Sequence, residues 1–358
     1  MAKLASQLAA GGQWAATGHV LDFDDLHMSS TAHVSVVCVA TALAAGGGAR
    51  AYLAAAGVMA RLGTALGWRH YSAGWHATCT AGAPASAAGA AVAMGLDAAQ
   101  IATAMALAVP AAGGVQRAFG SDAKSLQVGF AVDSGIRAAR LAAAGARADL
   151  AALDDWLVLV GGNPAALDRS PGPAIPGGLA IKIYPCCYAL QRPISALAGL
   201  ADQVEPAAIR QIVVRTPEAT VQPLIHHRPR TGLEGKFSLE YALAAALLDR
   251  YPGFSSFTDA AVGREDAVRL TRLVDVRLQP GGDGLLDGVL DAEVHTTGGQ
   301  VLTARQQFPP GSPARPPSPA ELAAKLADCV GGLDTEPADW TWDNAAALLR
   351  RFLPAGAR

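Results

Sequence analysis

Asp97-Ala98-Ala99-Gln100-Ile101-Ala102-Thr103-Ala104-Met105-Ala106-Leu107-Ala108 reads as a helix that carries its own start signal. Asp97 offers a carboxylate oxygen to the free amides of the first turn and Gln100 reaches back, the reciprocal arrangement of a capping box. Ile101, Met105 and Ala108 then fall on one face at helical spacing. Outward from this stretch, Ala-, Leu- and Val-rich text with the same spacing runs from about Val34 to Ala148. Gly113-Gly114 and Gly120 interrupt it ahead of a long helix expected from roughly Ser125 to Ala144. Small side chains let helix axes come close, so the pattern predicts a compact bundle built without many aromatics.

The character changes after Pro171. Pro, Gly and aromatic residues gather around Ile181-Lys182-Ile183-Tyr184-Pro185, and a helical stretch to about Asp202 follows. Strands are expected at Ile209–Thr216 and Val274–Leu278, with a helix between them at Leu239–Arg250. Val289–Thr296 and Gln300–Gln307 flank Gly298-Gly299, a hairpin signal. Ser318-Pro319-Ala320-Glu321 combines an N-cap serine, a proline at the first helical position and a capping-box glutamate, so helix returns at the end. The predicted fold is mainly α with an inserted α+β lid. Residues 1–177 and 312–358 form one helical domain from both chain ends, and 178–311 form the smaller α+β domain. A cleft between them is the natural ligand site.

Of the 358 residues, 51% are hydrophobic and 16% charged, which excludes a largely disordered chain. A net charge of -2 gives no electrostatic case for nucleic acid or an anionic membrane. Gly, Pro, Arg or Asp interrupt every Ala-rich run before it could span a bilayer, and the opening residues hold no sustained apolar stretch, so a cytoplasmic location is expected. The cysteines, Cys38, Cys79, Cys186, Cys187 and Cys329, have neither disulfide-framework nor zinc-site spacing. No metal is expected, and the adjacent Cys186-Cys187 pair is a poor match to iron–sulfur spacings.

Chemistry-bearing residues are scattered along the text. Asp22-Phe23-Asp24-Asp25 precedes His27 and His33. Three carboxylates so close raise the pKa of at least one unless cations intervene, and the group either tunes a histidine or caps a helix. His76 stands where a helix begins, a place that favours neutral imidazole and suits a base or a donor to a substrate oxygen. Lys124 also sits at a helix start, where a cation calls for an anionic partner. Asp122 is the nearest in sequence. Lys182 lies between two isoleucines in an otherwise uncharged turn, and Tyr241 at the start of an amphipathic helix is either a donor or a core aromatic. Together these are the groups that elimination from an anionic acid requires: cations for carboxylates and enolate charge, and a base and an acid for protons.

With these residues in order, the chain resembles the MmgE/PrpD family, which includes 2-methylcitrate dehydratase, cis-aconitate decarboxylase and iminodisuccinate epimerase. The resemblance is carried by Leu21-Asp22-Phe23-Asp24-Asp25 with His33-Val34-Ser35, by Gly74-Trp75-His76-Ala77-Thr78 and by Lys124 to Gly129. Further along it is carried by Lys182-Ile183-Tyr184-Pro185-Cys186-Cys187, by Lys236-Phe237-Ser238-Leu239-Glu240-Tyr241, and by Ser318 to Leu322 with Lys325 and Cys329. It implies a helical domain with an α+β lid, a cofactor-free enzyme that is usually a homodimer, and active-site positions at Asp22, His33, His76, Lys124, Lys182 and Tyr241. Lys124, Lys182, Gln127 and His76 are the expected substrate contacts. Three departures stand out: an N-terminus short for the family, Gln127 where members often carry His, and Gln191 in the turn where a His is often found.

The expectation is a lyase, a dehydratase or decarboxylase of a small di- or tricarboxylate. An epimerase working by proton abstraction and return is the alternative, and a non-catalytic carboxylate-binding homologue is the second alternative.

Overall fold

The computed structural model describes residues 1–280, 284–285, 287–331 and 340–353; the remainder of the expected returning segment, 332–339 and 354–358, lies outside them. The first part is helical: α1 (Ala2–Ala5), α2 (Ala10–His19), α3 (Val34–Ala44), α4 (Ala49–Ser72), α5 (Ala77–Ala93), α6 (Ala98–Ala108), α7 (Asp122–Ala143) and α8 (Ala152–Leu159). Two short strands, β1 (Asp25–Leu26) and β2 (Ala180–Ile181), pair antiparallel and tie the acidic segment to the Lys182 turn. A mixed sheet follows, from β3 (Ile209–Pro217), β4 (Val274–Gln279), β5 (Leu290–Thr296) and β6 (Val301–Gln306), in the order β4-β3-β5-β6. With it run α9 (Gln191–Ala198), α10 (Gly232–Gly235), α11 (Leu239–Asp249), α12 (Asp259–Val262) and α13 (Glu265–Arg272). The described chain closes with α14 (Pro319–Val330) and α15 (Trp342–Phe352). The protein is therefore mainly α with a smaller α+β part. No described helix is long and apolar enough to cross a membrane.

The capping boxes at Asp97 and Ser318 form with both reciprocal bonds. The Gly298-Gly299 hairpin joins β5 to β6 in antiparallel register. Helix α5 lies at the centre of the bundle, against α4, α6 and α7, and its residues from Ala77 to Ala91 are all buried. Alanine and glycine make that possible. A methyl group at Gly135 of α7 would come within 2.5 Å of Ala83 O and Ser86 Cβ, so the two helices touch backbone to backbone.

Gly11-Gly12 reads as a break, yet α2 runs straight through it. A side chain at Gly11 would strike Ile136 and one at Gly12 would strike Asp133. The pair lets α2 lie flat on α7, while the Asp133 carboxylate accepts from the amides of Ala9 and Gly12 at 3.0 and 2.9 Å. Tertiary contact repays the low helix propensity of glycine. The consequence reaches the site, because α2 ends on a buried histidine, His19.

Candidate active site

The acidic segment that follows α2 divides its three carboxylates among separate tasks. Asp25 turns back onto α3, accepting from Val34 N at 3.0 Å, from Ser35 N at 2.9 Å and from the Ser35 hydroxyl. It satisfies the free amides of that helix start, and burial raises its pKa despite the Ser35 bonds. Asp22 and Asp24 face inward. Lys124 donates to Asp22 Oδ1 at 2.6 Å and to His19 Nε2 at 2.8 Å. His19 Nδ1 in turn lies 2.6 Å from Asp24 Oδ2. Lys182 closes the ring, 3.0 Å from Asp24 Oδ1 and 3.7 Å from Asp22 Oδ1.

Charges taken out of water survive only when paired in this way. Burial by itself would raise both carboxylates, but Lys124 and Lys182 hold Asp22 at about 2, and His33, when it is protonated, and Lys182 keep Asp24 well below the ordinary range. Lys182 stays charged against its own burial because both aspartates face it. Burial, followed by the Lys124 charge, lowers His19 to about 4, so its ring is neutral near pH 7. The left-handed backbone of Asp22, φ 52°, turns its carboxylate into this ring. Thr31, φ 56°, is a second such residue nearby, and for a β-branched side chain that conformation is costly.

Beside the ring is a narrow cavity of about 20 Å³. Its polar wall is made by Asp22, Thr31, His33, His76, Lys124 and Tyr188, and Phe119, Phe237 and Leu285 supply apolar wall. His76 is the N-cap of α5. The segment around it is pinned to the turn before α7: His76 N donates to Gly114 O at 3.0 Å, and Gln116 N donates to Gly74 O at 2.8 Å. Gly114, φ 120°, permits this approach, since a side chain there would lie 2.7 Å from Cys79 Cβ. Burial and the Lys124 charge push the His76 pKa well below its usual value. Two residues of the cavity wall carry a buried polar atom without a hydrogen-bond partner, His76 at Nε2 and Tyr188 at its hydroxyl. Orphaned groups of this kind carry a desolvation cost that a ligand atom would relieve.

Asp22, His33, His76, Lys124 and Lys182 thus come together as expected from sequence. Tyr241 does not join them. Ser238 caps α11 and sets Tyr241 in its first turn, where the ring packs on Phe257 and the hydroxyl donates to Ser256 O. The same motif contributes other residues. Phe237 lines the cavity, and the Lys236 ammonium donates to Leu21 O at 2.6 Å, burial lowering its pKa to about 8. The tyrosines on the cavity wall are Tyr71 and Tyr188, and of these Tyr188 has a buried hydroxyl without a hydrogen-bond partner.

Two expected substrate contacts stand behind the wall. The Lys182 ammonium is fully buried among Asp22 and Asp24. Gln127 spends its amide on Val115 and on His76. Lys124 finds its anion in Asp22, with Asp122 left exposed at the helix start. Gln191 braces the Lys182 turn, accepting from Ile183 N and Tyr184 N and donating to Tyr184 O. Sequence reading missed His19, Asp24 and Tyr188 as site residues. His19 follows a Gly-Gly pair that masked its helix, and the five-residue interval to Asp24 was the only available signal.

One nitrogen from each of His19, His33 and His76 lies within 4.8 Å of the others, close enough to suggest a metal centre. The Lys124 ammonium occupies the His19 Nε2 lone pair, however, and a second buried ammonium lies behind it. That lone pair is therefore committed to a bond within the protein, and the nearby ammoniums are matched by the Asp22 and Asp24 carboxylates. Cys186 and Cys187 are buried thiols, raised in pKa by that burial, which makes them poor ligands.

The MmgE/PrpD N-terminal domain model matches residues 5–156, and the MmgE/PrpD C-terminal domain model matches residues 184–344. The chain belongs to the MmgE/PrpD family, and this membership suggests a dehydratase- or lyase-type enzyme. Comparison with curated proteins found no match.

Proposed function

We propose that the protein is a cofactor-independent lyase, a dehydratase or decarboxylase, acting on a small di- or tricarboxylate. One observation carries this reading: His76 and Tyr188, whose Nε2 and hydroxyl have no hydrogen-bond partner, line with Lys124 a cavity that His33 also lines. Lys124 supplies fixed positive charge for a carboxylate and for the enolate that forms when an adjacent proton leaves. Asp22, Lys182, Asp24 and His19 hold that lysine in place and keep its charge within a balanced ring. A histidine on the wall takes up the substrate proton, and the apolar wall of Phe119, Phe237 and Leu285 strengthens these interactions by excluding water.

A thermal-shift screen against di- and tricarboxylates, followed by assays for loss of water or CO2, tests the proposal. A ligand that binds only the native state raises its melting temperature. Lys124→Met is expected to abolish the shift and reduce turnover by roughly 10²-fold or more, the scale of losing a charged stabiliser. Retention of both would sink the carboxylate reading. Two histidines on one cavity also suit an epimerase, in which the abstracted proton returns to carbon. Incubation in deuterated water separates the two, since label uptake without loss of water or CO2 belongs to epimerisation.

A further inference from the structure

His33 and His76 face one cavity, and their inner nitrogens are held by partners of opposite kind. His33 Nδ1 lies 2.7 Å from the Asp25 carbonyl oxygen and 3.3 Å from Asp24 Oδ1. Both partners can only accept, so Nδ1 carries the hydrogen, and a neutral ring then keeps a lone pair on Nε2. His76 Nδ1 lies 2.7 Å from Gln127 Nε2. The Gln127 amide cannot be reversed. Val115 N–H, which can only donate, sits 3.0 Å from Oε1, and Val115 O sits 3.3 Å from Nε2. Gln127 therefore donates to His76 Nδ1, and the ring hydrogen is forced onto Nε2, the buried atom with no partner. Cys79 Sγ, 3.3 Å from the same Nδ1, is a thiol kept protonated by burial, which agrees with an accepting nitrogen. The other charged or titratable groups acting on His76 are Lys124, His19, His33 and Asp24.

We propose that Gln127 is a positioning residue that locks His76 as a neutral Nε2–H donor, leaving His33 Nε2 as the base of the pair. The division of labour rests on the carboxylate reading above; the tautomers do not. In the proton-abstraction step the substrate C–H bond breaks and an N–H bond forms at His33 Nε2. The electron pair moves to the neighbouring carboxylate oxygens, where Lys124 and the His76 N–H stabilise it. His76 keeps its own proton throughout, because a neutral imidazole is too weak an acid to give it up. A carboxylate at position 127 accepts where the amide donates, and would turn the His76 ring hydrogen to Nδ1.

Nitrogen-15 NMR of the full chain labelled in histidine, recorded without substrate at neutral pH, tests this. His33→Asn and His76→Asn serve to assign the signals. The expected pattern is protonated Nε2 with bare Nδ1 on His76, and the reverse on His33. Gln127→Glu is expected to invert the His76 pattern, and Gln127→Leu to leave it mixed. A His76 that carries its hydrogen on Nδ1 in the wild type, or a pattern unmoved in Gln127→Glu, overturns the proposal. Failure of the carboxylate reading leaves this measurement intact, since no substrate enters it. Where turnover is established, Gln127→Glu is expected to lower kcat at least tenfold with a smaller change in KM.

Discussion

At the scale of single residues, the two tyrosines make the clearest contrast. Tyr188 lines the cavity and its hydroxyl has no partner, whereas the Tyr241 hydroxyl is committed to Ser256 O. Tyr188→Phe is expected to reduce turnover by about tenfold or more, with folding little changed, because no protein bond is lost. Tyr241→Phe strands a buried carbonyl and is expected to cost about 1–3 kcal/mol of stability while leaving kcat within a few-fold of wild type. Urea unfolding and steady-state kinetics on both variants check this; a Tyr241→Phe variant with normal stability and no activity would return that hydroxyl to the site. The acidic segment sets the pH response. His19 is lowered from 6.5 to about 4, so unfolded chains bind its proton first and stability falls as pH drops through that window. Asp22 is lowered from 3.8 to about 2, so the stability it contributes is complete above 3.8 and is lost as pH falls towards 2. Urea midpoints are expected to decrease steadily from pH 7 to pH 5 and again to pH 3. A flat profile between pH 7 and 5 would contradict the burial of a neutral His19.

Among elements, α7 does the most to position the site, carrying Lys124 and Gln127 at one end and Gly135 further along. Its distance from α5 is set by the absence of a side chain at Gly135. Gly135→Ala raises helix propensity by roughly 1 kcal/mol, but the added methyl must displace the α5 backbone, and overpacking costs about 1–3 kcal/mol. A net loss of stability is expected, measured by urea unfolding, along with weaker ligand-induced stabilisation as Lys124 shifts. Increased stability would mean that the two helices pack less tightly than described. The strain at Asp22 and Thr31 belongs to this scale too. The link between α2 and α3 must place carboxylates on an α7 lysine, a β2-adjacent lysine and the α3 start within a few residues, and the ion pairs and caps offset the backbone cost.

For the whole molecule, the decisive feature is how narrow the cavity is. The cavity holds about 20 Å³, room for roughly one water. A di- or tricarboxylate, the proposed substrate, is larger than this space, so the proposed binding requires the walls to part. Those walls come from both portions of the chain: His33, His76 and Lys124 from the helical part, Tyr188, Phe237 and Leu285 from the part containing the sheet. Amides around Tyr188 and Phe237 are therefore expected to exchange hydrogen slowly when a carboxylate is bound and faster without it, the mark of local opening. Equal protection in the two states would argue for binding elsewhere. Homodimerisation, which the family implies, is checked by light scattering of the purified chain.

The sequence alone determined the main element types beyond α2, because periodicity, capping boxes and the Gly-Gly hairpin turn are local signals set by neighbouring residues. It also brought out Asp22, His33, His76, Lys124 and Lys182, through ordered motifs and through charge placed where no local partner was adequate. Tertiary structure decided what distance along the chain conceals. It carried α2 through Gly11-Gly12 and so delivered His19, it chose Tyr188 over Tyr241, and it moved Lys182 and Gln127 behind the wall. The physical reason is that buried charges and orphaned donors are defined by what surrounds them in space, and the Lys124 ammonium meets Asp22 and His19 only after α2 has folded onto α7.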